Sequence, residues 1–350
     1  MSVSQSTDDE SIVRRGPATM MVGLLVSAMA YPFLLDGFHA TVGSAGGTLA
    51  TATILFAALW LAAAFAMPLI GLVSAVRLAS APLPTAPHRK ALRLAYFAVI
   101  APTAYVFMGV LLYMLGGPVP DELAWIVGWA AIGVWAFRPS RAGTFGAAAR
   151  MPAKLRVAHG ISAAVLTIYV LFHLTNHLFG LIGPDAHTAV MKLGRQVYRA
   201  PVVEEILVAA MLFQIGSGLL LAWRWSSWAA EPFRVFQVAS GFYLSVFILG
   251  HMDSVFVFAR TYLGIDTGWA FATGAPTGIL HDPWNIRLLP HYWLGVFFVL
   301  SHLVSGLRVV LAAHGVGQAT AVRVWNAGLL VSAAIATAIL AGMCGLRLGL

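Results

Sequence analysis

Nine apolar runs, each long enough to cross a membrane as a helix, dominate the chain. An α-helix rises about 1.5 Å per residue, so about 20 apolar residues cross the roughly 30 Å hydrocarbon core of a bilayer. The runs cover 19–42, 48–78, 91–115, 121–138, 156–182, 203–226, 235–263, 287–312 and 324–346, and the fourth is the shortest. With 60% hydrophobic and 10% charged residues, the chain has too little polar surface for a water-soluble globule. The sequence therefore predicts an all-α, polytopic transmembrane helical bundle of about nine spans in a lipid bilayer.

Lysine and arginine are unevenly divided between the loops on the two sides. Cytoplasmic loops of membrane proteins carry the excess of positive charge. A cytoplasmic N-terminus leaves only six of the 21 basic residues outside, namely Lys192, Arg195, Arg199, Arg260, Arg287 and Arg347. We therefore predict a bacterial-type inner (plasma) membrane protein with its N-terminus in the cytoplasm and its C-terminus outside. The net charge of +8 then reflects topology and anionic head groups, with no basic cluster arranged for nucleic acid.

An arginine-, glycine- and alanine-containing stretch divides the chain after the fourth run. Residues 1–18 are expected to be a cytoplasmic tail, because they are polar and lack the apolar core and cleavage site of a signal peptide. Residues 19–138 form a four-helix membrane block whose role the residues do not indicate. Residues 139–155 are a cytoplasmic linker, and 156–350 are a five-helix membrane domain. The single cysteine, Cys344, excludes an internal disulfide and a cysteine-ligated iron–sulfur cluster.

The C-terminal domain contains an internal repeat of polar residues. His159 and His173 are fourteen positions apart on one apolar run, and Gln237 and His251 are fourteen apart on another. A second motif, Gln214-x-x-Ser217-Gly218-Leu219, returns as His302-x-x-Ser305-Gly306-Leu307. We interpret the domain as a duplicated helix pair, in which the copies place polar side chains at matching depths.

Histidines inside the predicted spans are the main candidates for chemistry, because ionisable side chains in hydrocarbon are costly and mark functional sites. Imidazoles from two helices are the usual ligands of b-type haem in a helical bundle. His173 and His251 both lie in the outer half of their spans, so we predict that they bind one haem iron. The repeat predicts a second site, nearer the middle of the membrane, where Gln214 and His302 lie at the same depth. This site offers one amide and one imidazole.

Two further histidines leave the ligand assignment open. His177 lies one turn after His173 on the same helix face, so either imidazole could be the ligand. His291 lies about three turns before His302 on a shared face. His177 and His291 are therefore an alternative outer pair. Interhelical hydrogen bonding alone is the simplest other explanation for such histidines.

Short motifs give the domain a resemblance to a known family. Ser301-His302-Leu303-Val304-Ser305-Gly306-Leu307-Arg308 is similar to the H-x-x-x-G-[IL]-R helix in the cytochrome b membrane anchor of succinate dehydrogenase and fumarate reductase. The openings His159-Gly160-Ile161-Ser162 and Gln237-Val238-Ala239-Ser240-Gly241 resemble its H-R-x-S-G helix start. Gly160 and Val238 replace the family's arginine, and Gln214 replaces a ligand. The resemblance covers about 155–315 and implies a haem-binding four-helix bundle plus one helix, with one haem b and an altered second site.

The resemblance and the histidines together suggest electron transfer between haem b and a quinone. Polar residues at the outer helix ends are the candidates for binding quinone or accepting protons, namely Asn176, Glu204, Glu205 and Asp253. Arg195 and Arg199 are candidates for pairing with haem propionates or lipid phosphate. They lie on a predicted interfacial helix, 187–199, from which Val190, Met191 and Val197 are expected to point inward.

The sequence also limits the activity of the chain. It contains no glycine-rich nucleotide motif, flavin site or cysteine cluster. At most, therefore, it is the membrane electron-transfer component of a quinone-linked oxidoreductase, with soluble redox subunits as partners. The alternative is a haem-free transporter or a structural membrane anchor built on the same bundle.

Overall fold

The computed structural model describes residues 4–43, 50–80, 85–139, 153–226 and 230–349, with side chains from Pro17 onward. All the regular secondary structure in this part of the chain is helical. Its helices are α1 Ser4–Gly43, α2 Thr51–Ala79, α3 Ala86–Met114, α4 Asp121–Phe137, α5 Ala153–Leu178, α6 Pro184–Tyr198, α7 Val203–Trp225, α8 Pro232–Met252, α9 Trp269–Ala272, α10 Leu288–Ala313 and α11 Gln318–Met343. A π-helical segment, Asp253–Leu263, continues α8, and a 3-10 turn, Asn285–Arg287, leads into α10.

Eight helices within the described ranges are long and apolar enough to cross a membrane. This confirms the prediction of a polytopic helical bundle. The ninth predicted span corresponds to α4, which has 17 residues and is the shortest of the nine. Tyr105 of α3 donates to Glu122 near the start of α4 at 3.2 Å, and Lys90 of α3 donates to the carbonyl of Arg138 after its end. Helix α4 therefore lies antiparallel beside α3 along its whole length, about 25 Å.

Two helices begin before the apolar runs predicted for them. Helix α1 begins at Ser4, inside the expected tail, although its apolar span begins at Pro17. Helix α5 begins at Ala153, inside the expected linker. The rest of that linker, 140–152, lies outside the described residues.

Small side chains pack α3 at the centre of the N-terminal block. Ala95, Ala98 and Ala101 are fully buried, and α3 contacts α1, α2 and α4 as well as α8 of the other half. A Cβ on Gly71 of α2 would come within 2.9 Å of the Ala95 carbonyl oxygen, so this glycine permits the close approach of α2 to α3. In a bilayer such close packing provides the attraction between helices. Helix α3 is therefore the main contact between the two halves.

The C-terminal half is a ring of five helices. Helices α5, α7, α8 and α10 contact one another in chain order, and α11 packs against both α10 and α5. Helix α6 and residues 264–287 cover one end, which we call the capped end. The other end, where α4 ends and α5 begins, is called the open end.

The predicted interfacial helix is present as α6, and one of its faces packs against the protein. His187, Met191 and Gly194 are buried, at positions i, i+4 and i+7 of one helical face. Met191, one of the three residues expected to dip inward from the head groups, is thus buried in the protein, whereas Val197 is 68% exposed. Gly194 lies against the rings of Phe172 and Tyr198, where a side chain would not fit. Helix α6 packs on α5 through its His187 face, and the position of Val197 relative to the bilayer stays a prediction.

Candidate cofactor-binding cavity

A cavity of about 960 Å³ lies inside the ring of helices. It extends from the capped end down to Gln214 of α7 and His302 of α10, and Val106 and Val110 of α3 contribute to its wall. Mostly apolar cavities with a few polar groups are typical of cofactor and ligand sites, and this volume is at the upper end of their usual range. The N-terminal block thus supplies part of the cavity wall.

His173 of α5 and His251 of α8 lie close together in the wall of this cavity. Their ring centroids are 5.9 Å apart, with an angle of 70° between the planes. Metal–imidazole nitrogen bonds are about 2 Å, so two imidazoles on opposite sides of one metal have ring centres about 6 Å apart. Tyr169 stacks on His173 at 5.7 Å, and Phe247 stacks on His251 at 6.0 Å with nearly parallel planes. Aromatic neighbours therefore orient both imidazoles.

A second group of polar side chains lies between this pair and the cap. His177 has its ring 4.8 Å from His173 and 5.3 Å from His187 of α6. Asn176 Nδ2 lies 3.2 Å from His187 Nε2, and the Trp269 ring is 4.6 Å from that of His187. Burial, followed by the positive charge of Arg195, lowers the pKa of His187 to about 4. His187 is therefore neutral at physiological pH.

His187 was missing from the candidates chosen by sequence reasoning. A signal was nevertheless present, because His187, Met191 and Gly194 form the inward stripe of an amphipathic helix. Trp269, which backs the imidazole, lies in the long connection before α10, and its ring packs on Gly180. The length and polarity of α6 suggested a surface position, and its tertiary packing placed His187 inside.

His291 of α10 occupies another part of the cavity wall. It is 3% exposed, and its ring lies 4.7 Å from that of Phe247. Tyr243 of α8 donates to its backbone carbonyl oxygen at 3.1 Å. His177 is thus directed toward α6, whereas His291 is directed toward α8. Both residues line the cavity, so the alternative outer pair stays a prediction.

The lower level of the repeat shows two equivalent histidine–serine contacts. His302 Nδ1 lies 2.8 Å from Ser240 Oγ, and His159 Nδ1 lies 2.8 Å from Ser217 Oγ. Each serine hydroxyl donates to a carbonyl oxygen of its own helix, so its oxygen accepts from the imidazole. The proton of each neutral imidazole is therefore on Nδ1, and Nε2 carries a lone pair.

Gln214 is directed toward His159. Its Nε2 lies 3.0 Å from His159 Nε2, so the amide donates to the lone pair of that imidazole. Gln214 and His302 nevertheless both line the lower end of the cavity. The predicted site of Gln214 and His302 therefore has a third member, because His159 contributes a second imidazole.

Charged residues surround the capped end of the cavity. Arg260 of the π-helical segment contacts Glu204 of α7 at 2.6 Å, and Arg195 contacts Asp266 at 2.9 Å. Arg199 donates to Thr267 Oγ1 at 2.8 Å. Arg195 of α6 and Arg199, directly after α6, thus fasten the 264–268 connection over the cavity.

The four predicted quinone or proton residues have different positions. Asn176 and Glu204 line the cavity. Glu205 is exposed, and Asp253 is half-buried at the start of the π-helical segment. Asn176 and Glu204 are therefore the two placed to contact a bound molecule.

Buried polar atoms without a hydrogen-bond partner are concentrated at the cavity. Among the described side chains, six such atoms belong to residues that line it, namely Asn176, His177, His187, Arg195, Gln214 and His291. Buried polar groups in proteins are nearly always satisfied, so unpartnered ones require an explanation such as a bound molecule or water. Their arrangement favours a cavity that holds a polar guest.

The chain matches no protein-family model, no curated protein and no solved structure. The geometry of the cavity is therefore the basis for assigning a function.

Proposed function

We propose that the protein is a membrane-bound b-type cytochrome that transfers electrons between haem b and a quinone. The observation that carries this proposal is the facing pair His173 and His251, with ring centroids 5.9 Å apart inside a 960 Å³ apolar cavity. His173 and His251 are the residues that would hold the haem iron, and the cavity would offer room for an apolar macrocycle. The similarity of the His302 helix to the succinate dehydrogenase and fumarate reductase anchor supports the same proposal.

The surrounding residues fit a porphyrin better than a bare metal ion. No three histidine, cysteine or carboxylate side chains in the described ranges are placed to chelate an ion. Two imidazoles alone leave most coordination positions of an iron to be filled by another molecule, as a porphyrin does. When bound, haem b supplies one-electron redox chemistry. The protein's own contribution is to orient the two imidazoles and to exclude water from them.

The capped end provides groups for exchange with a quinone. A quinone is lipid-soluble and carries both electrons and protons, so it is the natural redox partner inside a bilayer. Glu204 lines the cavity beside Arg260, and a carboxylate in this position can accept protons from a quinol as a general base. Arg195 and Arg199 also line the cavity and are the candidates for pairing with haem propionates.

We further propose the orientation given by the distribution of basic residues. The open end, with most of the arginines, is cytoplasmic, and the capped end is outside the bacterial-type inner membrane. Soluble redox subunits are then the proposed donors or acceptors on the cytoplasmic side. The optical spectrum and haem content of the purified protein test the core of this proposal, because either alternative, a transporter or an anchor, is colourless.

A further inference from the structure

Three unpartnered polar atoms lie together at the capped end of the cavity. They are Asn176 Oδ1, His177 Nδ1 and His187 Nδ1. Asn176 is 5% exposed and His187 is 2% exposed, so bulk water does not satisfy them. Each unsatisfied polar group in such surroundings carries a large desolvation cost. The concentration of three of them, all on cavity-lining residues, indicates a place for a hydrogen-bonding molecule.

The one hydrogen bond within this group defines what the molecule must offer. If Asn176 Nδ2 donates to His187 Nε2, the proton of the neutral imidazole is on Nδ1. His187 Nδ1 is then a free donor, and Asn176 Oδ1 is a free acceptor. If the Asn176 amide is turned over, its nitrogen becomes the free donor and His187 Nδ1 becomes the free acceptor. The site then still offers one donor and one acceptor. A guest group must therefore donate and accept at the same time.

Among the candidate guests, only a hydroxyl meets this requirement. The carbonyl of an oxidised quinone accepts hydrogen bonds but cannot donate, and a haem propionate has the same limitation. A hydroquinone hydroxyl donates to one atom and accepts from the other. His177 Nδ1 is adjacent and can donate a hydrogen bond to the guest or accept one from it, according to the tautomer of the imidazole.

The neighbouring side chains suit a planar, partly apolar ligand. Phe271 and Met191 line the cavity, and the Trp269 ring packs against the imidazole of His187 without lining the cavity itself. Apolar and aromatic walls with a few placed polar groups are typical of sites for small organic ligands. The ring of His177 is 4.8 Å from that of His173, so a guest here would lie beside the proposed haem ligand.

We infer that Asn176, His177 and His187 form a binding site for one hydroxyl group of a membrane hydroquinone, and that the site prefers the reduced form to the oxidised form. The inference rests on the quinone-linked function proposed above and specifies its substrate site. The inference concerns binding affinity. The reduced form is preferred because a quinone carbonyl cannot donate, so it would leave the free acceptor of the site without a hydrogen bond. Leaving such a group unpaired corresponds to about a tenfold loss of affinity.

Equilibrium binding under anaerobic conditions tests this inference on the full chain in lipid nanodiscs, with empty nanodiscs subtracted. The probes are decylubiquinol and decylubiquinone. Asn176→Leu removes the amide at similar volume, and His187→Phe keeps a ring beside Trp269 but removes both nitrogens. Thr103→Val is the matched control, because Thr103 Oγ1 is also buried without a partner but does not line the cavity.

The expected result is about tenfold tighter binding of decylubiquinol than of decylubiquinone by the wild type. We expect both cavity variants to lose about tenfold in decylubiquinol affinity, while Thr103→Val binds normally and haem content stays constant. Equal affinity for the two probes, or unchanged binding by both variants, would overturn the inference. The haem is kept reduced during titration with decylubiquinol and oxidised during titration with decylubiquinone, so that no electron is exchanged with the probe. A haem-free protein that shows this preference would contradict the cytochrome proposal alone.

Discussion

Arg287 and Asp121 form a buried ion pair between the two halves of the protein. Arg287 Nη1 lies 2.5 Å from Asp121 Oδ2, and the side chains are 6% and 18% exposed. The guanidinium also lies over the rings of Tyr105 and Trp284, at 4.4 and 4.7 Å from their centroids. Because Arg287 precedes His291 by one helical turn, the pair holds the N-terminal block against the helix that forms one wall of the cavity.

Removing one partner of this pair should destabilise the protein strongly. Arg287→Met leaves the Asp121 carboxylate without its counterion, and we expect a loss of about 3 kcal/mol. The measurement is thermal unfolding in detergent at fixed protein concentration. Asp266→Asn is the control, because Asp266 is 66% exposed in its pair with Arg195, and exposed pairs contribute less than about 1 kcal/mol. Similar losses of stability in Arg287→Met and Asp266→Asn would show that the buried ion pair contributes no more than the exposed one.

A side chain at Gly295 should disturb the cavity through Phe247. A Cβ at Gly295 would overlap the Phe247 ring, which stacks on the imidazole of His251. We therefore expect Gly295→Ala to displace this ring and to lower haem content or shift the haem absorption bands. Gly306→Ala lies on the same helix, where a Cβ meets no atom within 4 Å, and should change neither property. Unaltered spectra in both variants would mean that Phe247 does not orient His251.

The two repeat-related serines should stabilise their histidines. Ser240→Ala leaves His302 Nδ1 without its acceptor, and a buried group left unsatisfied costs about 1–3 kcal/mol. Ser332→Ala in α11 is the control, because Ser332 bonds only to the Gly328 carbonyl of its own helix. Chemical unfolding measures the difference. A smaller loss in Ser240→Ala than in Ser332→Ala would argue against the histidine–serine contact.

Stability should depend on the titration of His187. Burial lowers the pKa of His187 to about 4, below its ordinary value of 6.5. Between these values the unfolded chain binds more protons than the folded one, so this group makes the free energy of unfolding rise with pH across that window. We expect the melting temperature to fall from pH 7 to pH 5, and to fall less in His187→Gln. Asn176→Leu keeps the imidazole buried and should retain the wild-type slope. If the melting temperature changed equally with pH in the wild type and in His187→Gln, the titration of His187 would not contribute to the pH dependence of stability.

The sequence predicts the architecture well because the bilayer allows few alternatives. Backbone groups in hydrocarbon must be satisfied internally, so each long apolar run becomes a helix. The depth of polar residues within a run is then set by counting residues. This is why His173 and His251 could be placed opposite each other before any tertiary contact was known.

Contacts made by loops and short helices could not be predicted in the same way. Arg287 and Asp121 are 166 positions apart, and no periodicity relates them. The burial of His187 depends on how α6 folds back onto α5, where Gly194 lies against Phe172. Gln214 was paired with His302 by depth, but its orientation toward His159 depends on side-chain rotation that helix counting does not determine.

The most direct test of the central proposal is a reduced-minus-oxidised optical spectrum with a haem count per chain. The purified wild type, expressed with adequate haem supply, should show a b-type spectrum that is lost in both His173→Ala and His251→Ala. His314→Ala, at an exposed position after α10, is the control and should keep it. A colourless wild type, or full haem content in both cavity variants, would contradict the assignment of His173 and His251 as the haem ligands.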